Sequence, residues 1–147
     1  MALFGTDLST YNGEVDFDAL KRAGVRFAMV KATQGHSLTA NYYMFVDSKF
    51  KRNVEGLYRV GIPVGAYHFL TASNSEECAK EADFFIKTGE PYRDKLTLYL
   101  ACGAENYNNK YLLGLSRDKL TSLIDQFCRR VEDAGYHACH YTNTDHI

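Results

Sequence analysis

Residues 96–105 read LTLYLACGAE, an apolar run closing on Gly103-Ala104 and a single acid, Glu105. The stretch LTLYLAC is rich enough in aliphatic and aromatic side chains to predict a buried strand, and Glu105 falls where that strand meets solvent. Working outward, the same punctuation recurs. FGTDLST (4–10), RFAMVKAT (26–33), VGAYHFL (64–70) and HACHYTN (137–143) are short apolar runs whose polar residues gather at the end. Between them lie VDFDALKRAG (15–24), YMFVDSKFKRNVEGLYRVG (43–61), SNSEECAKEADFFIKTG (73–89) and LSRDKLTSLIDQFCRRVEDAG (115–135), with apolar residues at helical spacing. Stop and start signals agree. The first two helices run into glycine. The third offers Ser or Asn as a cap, with Glu76 and Glu77 in the first turn, where the helix dipole favours acids, and the fourth opens on Ser116.

Strand–helix alternation of this kind predicts an α/β fold, with about five parallel strands and four helices joined by right-handed crossovers. No linker or low-complexity segment divides the 147 residues, so 1–147 reads as a single domain. Five strands do not close a (β/α)8 barrel, which takes more than about 200 residues. The sequence ends at TNTDHI, directly after a strand. An incomplete barrel is expected, with an open five-stranded sheet as the alternative. In either case function belongs at the carboxyl ends of the strands.

Composition narrows the classes. The net charge of −1 argues against a nucleic-acid binder relying on a basic surface. No stretch reaches the roughly 20 apolar residues of a membrane span, and with LFGTDL so near the first residue no signal peptide is expected. The protein is expected to be made in the cytoplasm. The four cysteines lack CxxC spacing and read as free thiols, although Cys102 and Cys139 fall in neighbouring strands and a disulfide between them is the alternative. His137, Cys139, His140, Asp145 and His146 do not match a tetrahedral site on one element, so neither metal nor cofactor is expected. Asn106, Asn108 and Asn109 read as turn residues.

The strand ends collect Asp7 and Ser9, Lys31 and Thr33, Tyr67 and His68, Glu105, and His140, Tyr141 and Asn143. Polar groups concentrated at one end of apolar strands cost stability, and their coincidence there points to a site. GTDLSTYNG (5–13), FAMVKATQG (27–35), GAYHF (65–69) and the strand ending in Glu105 also resemble, in order, the motifs of glycoside hydrolase family 25, the N-acetylmuramidase lysozymes. The resemblance implies a TIM-like β/α barrel, here incomplete, with an acidic groove at the strand ends. It further implies hydrolysis of the β-1,4 bond between N-acetylmuramic acid and N-acetylglucosamine of bacterial peptidoglycan. Glu105 would protonate the leaving oxygen and Asp7 would supply a second carboxylate. Lys31, Tyr67, His68, Tyr141 and Asn143 would bind the sugars.

Glycoside cleavage needs an acid at the leaving group and negative charge facing an oxocarbenium-like centre. In the family's Asp-x-Glu, strand alternation presents both carboxylates to one groove, and crowding raises one pKa so that a proton is kept. This chain has Gly103 at the Asp position, and Gln34 where the family often has Glu. A non-catalytic glycan-binding module and a metal-dependent hydrolase using the terminal histidines are the competing readings. With an exposed edge at HACHYTN, the chain is expected to be less stable than a longer relative or to self-associate.

Overall fold

The computed structural model describes residues 2–36, 42–104, 112 and 114–142. Its main sheet runs in the order β1 (Gly5–Leu8), β2 (Phe27–His36), β4 (Val64–Phe69), β5 (Leu96–Gly103), β6 (Ala138–Tyr141), with every neighbouring pair parallel. β3 (Tyr43–Val46) pairs antiparallel with the far half of β2, Thr33 opposite Val46 and His36 opposite Tyr43. One edge of β2 is therefore shared, with β1 along 27–30 and β3 along 33–36.

The helices α1 (Phe17–Arg22), α2 (Phe50–Arg59), α3 (Ser75–Gly89) and α4 (Arg117–Asp133) start on side-chain caps in three cases. Asp16 accepts from Ala19 N at 2.9 Å, Asn74 from Glu77 N at 2.9 Å and Ser116 from Lys119 N at 3.1 Å. Each satisfies an amide that a helix start leaves unpaired. Beyond α1 and α4 the chain turns through Gly24 and Gly135, both at φ 88°, a conformation that costs other residues.

The core lies between the sheet and these helices. Ala28, Val30, Val64, Ala66, Leu100 and Cys102 face Val54, Leu57, Ala82, Phe85, Leu123 and Phe127, all essentially buried. Phe85 and Phe127 stack at 5.7 Å.

Five parallel strands and four helices match the expectation, and the sixth strand does not. The stretch 43–61 was expected to be one helix, yet Tyr43–Val46 is extended and α2 begins only at Phe50. Tyr43 and Phe45 satisfy a period of two while Tyr43 and Val46 satisfy a helical one, and aromatic and β-branched residues suit a strand. The free edge of β2 at 33–36 decides the matter. Asp47 ends the strand, its N–H bonded to Ala32 O at 2.8 Å and its carboxylate accepting from Thr10 N at 3.0 Å and Lys49 N at 2.9 Å.

β2 carries a bulge. Lys31 pairs with Tyr67, but Thr33 pairs with His68, leaving Ala32 as the extra residue. Side-chain alternation shifts by one place there. Lys31 and Gln34 come to one face of the sheet, while Thr33 turns to the other.

Candidate functional site

The face of the sheet away from the helices carries the strand-end residues. The registers align Asp7 with Met29 and Gly65, then Lys31 with Tyr67, Ala101 and Cys139, then Gln34 with Phe69, Gly103 and Tyr141. Lys31, Tyr67 and Tyr141 thus share a face, with Asp7, exposed, one row nearer the strand starts. Gly103 occupies the position where an added Cβ would stand 3.9 Å from Cδ1 of Tyr141 and 3.0 Å from the His68 carbonyl oxygen. Glu105 and Asn143, and Asp145, His146 and the asparagines 106, 108 and 109 with them, lie outside the described residues.

Lys31 is buried, at 6% exposure. Its ammonium donates to Gln34 Oε1 and sits 5.6 Å from the ring centre of Phe69 and 5.9 Å from those of Tyr11 and Phe45. Burial lowers its pKa below the ordinary lysine value, against the opposing field of Asp47. Tyr11 stands almost free on the turn after β1, 90% exposed. This turn, Thr10–Asn12, is a single 3-10 turn capped by Ser9. Aromatic faces around an ammonium make a surface suited to the apolar faces of sugars.

His68 corrects an expectation. It was expected to bind substrate, but alternation turns it to the opposite face, where it is fully buried beneath α3. Its Nε2 lies 2.5 Å from Glu81 Oε2 and its Nδ1 2.7 Å from Thr33 Oγ1, and its ring stacks on Phe127 at 5.1 Å. Glu81, also fully buried, accepts in addition from Thr71 N at 3.0 Å, Thr71 Oγ1 at 2.7 Å and Tyr42 OH at 3.0 Å. A buried carboxylate is tolerated only with its acceptor sites filled, as they are here. Burial and the charge of Glu81 push the Tyr42 hydroxyl pKa up, so it remains a donor. The cluster ties β2, β4, the segment after β4 and α3 together directly behind the groove face. Sequence reasoning passed over Glu81, although an acid within the apolar stripe Cys78, Ala82, Phe85 was the available signal.

All four cysteines are free, including Cys102 and Cys139. Burial pushes the Cys102 thiol well up and the Cys78 thiol to about 12. Neither is a nucleophile at neutral pH. No group of His, Cys, Asp and Glu among the described residues is arranged to hold a metal. No helix among them is long and apolar enough to cross a membrane.

Fold and face together define a β/α barrel-type protein, its sheet left open, with polar and aromatic groups at the strand carboxyl ends. Residues 6–147 match the family of glycosyl hydrolases family 25, and the chain belongs to it. It is 30% identical over 141 residues to the autolytic lysozyme of Clostridium acetobutylicum, covering 96% of this chain and 38% of that protein. It is 34% identical over 128 residues to lysozyme M1 of Streptomyces globisporus, covering 86% of this chain and 41% of that protein. A family 25 glycosyl hydrolase from Bacillus anthracis superposes with a TM-score of 0.78 at 26% identity, over 98% of this chain and 62% of that one. The chain thus spans about two fifths of the length of those two lysozymes.

Proposed function

We propose that this chain is the muramidase-type portion of a peptidoglycan hydrolase. It would act on the cell wall, cleaving the β-1,4 bond between N-acetylmuramic acid and N-acetylglucosamine. The family match across residues 6–147 carries this reading. Glu105 is the general acid. Asp7, exposed on the groove face, is the second carboxylate and stabilises positive charge at the sugar centre. Lys31, Tyr67 and Tyr141 line the groove, Asn143 is assigned to sugar binding with them, and His68 supports the groove from behind. Glycoside hydrolysis of this kind requires no cofactor. Residues 1–147 form one unit, and fuller activity comes with the additional length that the relatives carry.

Gly103 favours a second reading, a glycan-binding module without turnover, because the family's Asp at that position is absent. Clearing of purified cell walls separates the two. Clearing by the parent chain, lost by about 10²–10⁴ in Glu105→Gln, supports the muramidase. Retention on insoluble peptidoglycan with no clearing supports the binding module. Gly103→Asp is expected to raise the clearing rate, in this chain and in one extended to the length of its relatives. The new Cβ requires the His68 carbonyl, 3.0 Å away, to yield by a few tenths of an ångström. If both versions stay inert, the role given to Glu105 fails.

A further inference from the structure

The Lys31 ammonium has no carboxylate within ion-pair distance among the described residues. Asp47 is the acid whose field reaches it, and both Asp47 oxygens are already taken by the backbone N–H groups of Thr10 and Lys49. The hydrogen-bond acceptor of Lys31 is the neutral Gln34 Oε1. An ammonium has only donors, so it fixes the carbonyl end of the Gln34 amide toward itself and turns Nε2 away. Nε2 has no partner among the described residues. Gln34 is half-buried and belongs to the groove face, opposite Phe69 in register, with Gly103 next along the row. This part of the groove therefore offers amide donors next to a positive charge, framed by the rings of Tyr11, Phe45 and Phe69. No acid stands at position 34 or 103 to cancel that polarity.

We propose that Gln34, oriented by Lys31, is a specificity-determining residue that selects glycan bearing a carboxylate, its amide donating to the lactyl carboxylate of an N-acetylmuramic acid freed of its stem peptide. The inference rests on the muramidase reading above. In intact wall the lactyl carbonyl is held in an amide to the peptide and carries no charge. In freed glycan it is an anion, and a charge-assisted hydrogen bond is the stronger kind. Hydrolysis of that amide, an amidase reaction, must then supply the preferred substrate. Lys31 acts as a positioning residue, since it reaches the ligand through Gln34.

Calorimetric titration tests this, with the Glu105→Gln background used throughout to prevent turnover. The ligands are a neutral N-acetylglucosamine tetrasaccharide, a peptide-free tetrasaccharide alternating N-acetylglucosamine with N-acetylmuramic acid, and the same alternating glycan with its stem peptides. The peptide-free alternating glycan is expected to bind about tenfold more tightly than the neutral one. Gln34→Glu pairs with Lys31 and turns an acceptor to the ligand, so it removes this preference while leaving the neutral tetrasaccharide within about twofold. Lys31→Met removes the preference as well, because the Gln34 amide is then free to flip. An unchanged melting temperature in Gln34→Glu attributes the loss to recognition rather than folding. Equal binding of the two peptide-free glycans overturns the inference, as does a Gln34→Glu variant that keeps the preference. Tighter binding of the peptide-bearing glycan places the selected carboxylate on the peptide and overturns it too. Failure to bind any of the three brings down the muramidase reading itself.

Discussion

Burial holds the Lys31 ammonium below the ordinary lysine range of 10.5, the field of Asp47 opposing it only in part. Its folded-state pKa is thus below that of the unfolded chain, and the charged form is penalised on folding. That penalty is complete at neutral pH and disappears as pH rises past 10.5, where both states are neutral. Lys31→Met is accordingly expected to hold or raise the melting temperature at pH 7. Its advantage over the parent should shrink between pH 9 and 11, as followed by thermal melts across that range. Gly35 makes a different demand, for space. A Cβ there would stand 2.1 Å from Glu81 Oε1 and 2.3 Å from Thr71 Oγ1. Gly35→Ala must push the carboxylate out of its bonds, with an expected loss of about 1–3 kcal/mol in urea denaturation. Little of this was legible in advance. The strand ends at Lys31 and Tyr67 were legible because polar groups gather there, but alternation alone could not say that His68 faces the helices. That choice is fixed by Glu81, thirteen residues further on in a different element.

At the scale of elements, α3 and α4 are joined by more than apolar packing. Arg130 grips Asp83 with two bonds of 2.9 and 2.8 Å, and Gln126 bonds Ser75 side chain and backbone at 3.0 and 2.9 Å. The Arg130–Asp83 pair is solvent-exposed, so Asp83→Ala should cost less than about 1 kcal/mol. Loss of the cap in Ser116→Ala should cost about 1 kcal/mol, and paired urea titrations check that order. Strands and helices with one dominant period were readable from composition because each buries a face against the same core. β3 was not readable, since its pattern satisfies two periods and its choice depends on the vacant edge of another strand, β2 at 33–36. Cysteine burial follows the elements as well. Cys78 and Cys102 are buried and Cys139 only partly so, hence native alkylation at pH 8 should reach Cys139 well before the other two, as read by mass spectrometry.

At the scale of the sheet, the path through the described residues runs from β1 to β6 without β6 pairing back to β1, and Tyr99 and Tyr141 are about half exposed. Open edges and exposed aromatics favour pairing with another copy. Sedimentation velocity over a hundredfold range of concentration is expected to show association, and a single monomeric boundary throughout would refute it. The bulge at Ala32 bears on the molecule in another way. It acts as a frameshift in the strand: upstream of it odd-numbered residues look into the groove, and downstream even-numbered ones do. Deleting Ala32 would leave a regular strand with Thr33 still in the core and Gln34 still in the groove, whereas keeping Ala32 but straightening the bulge would send Thr33 into the groove and Gln34 into the core. The identity of a groove residue here is therefore written in the backbone at Ala32 as much as in its own chemistry.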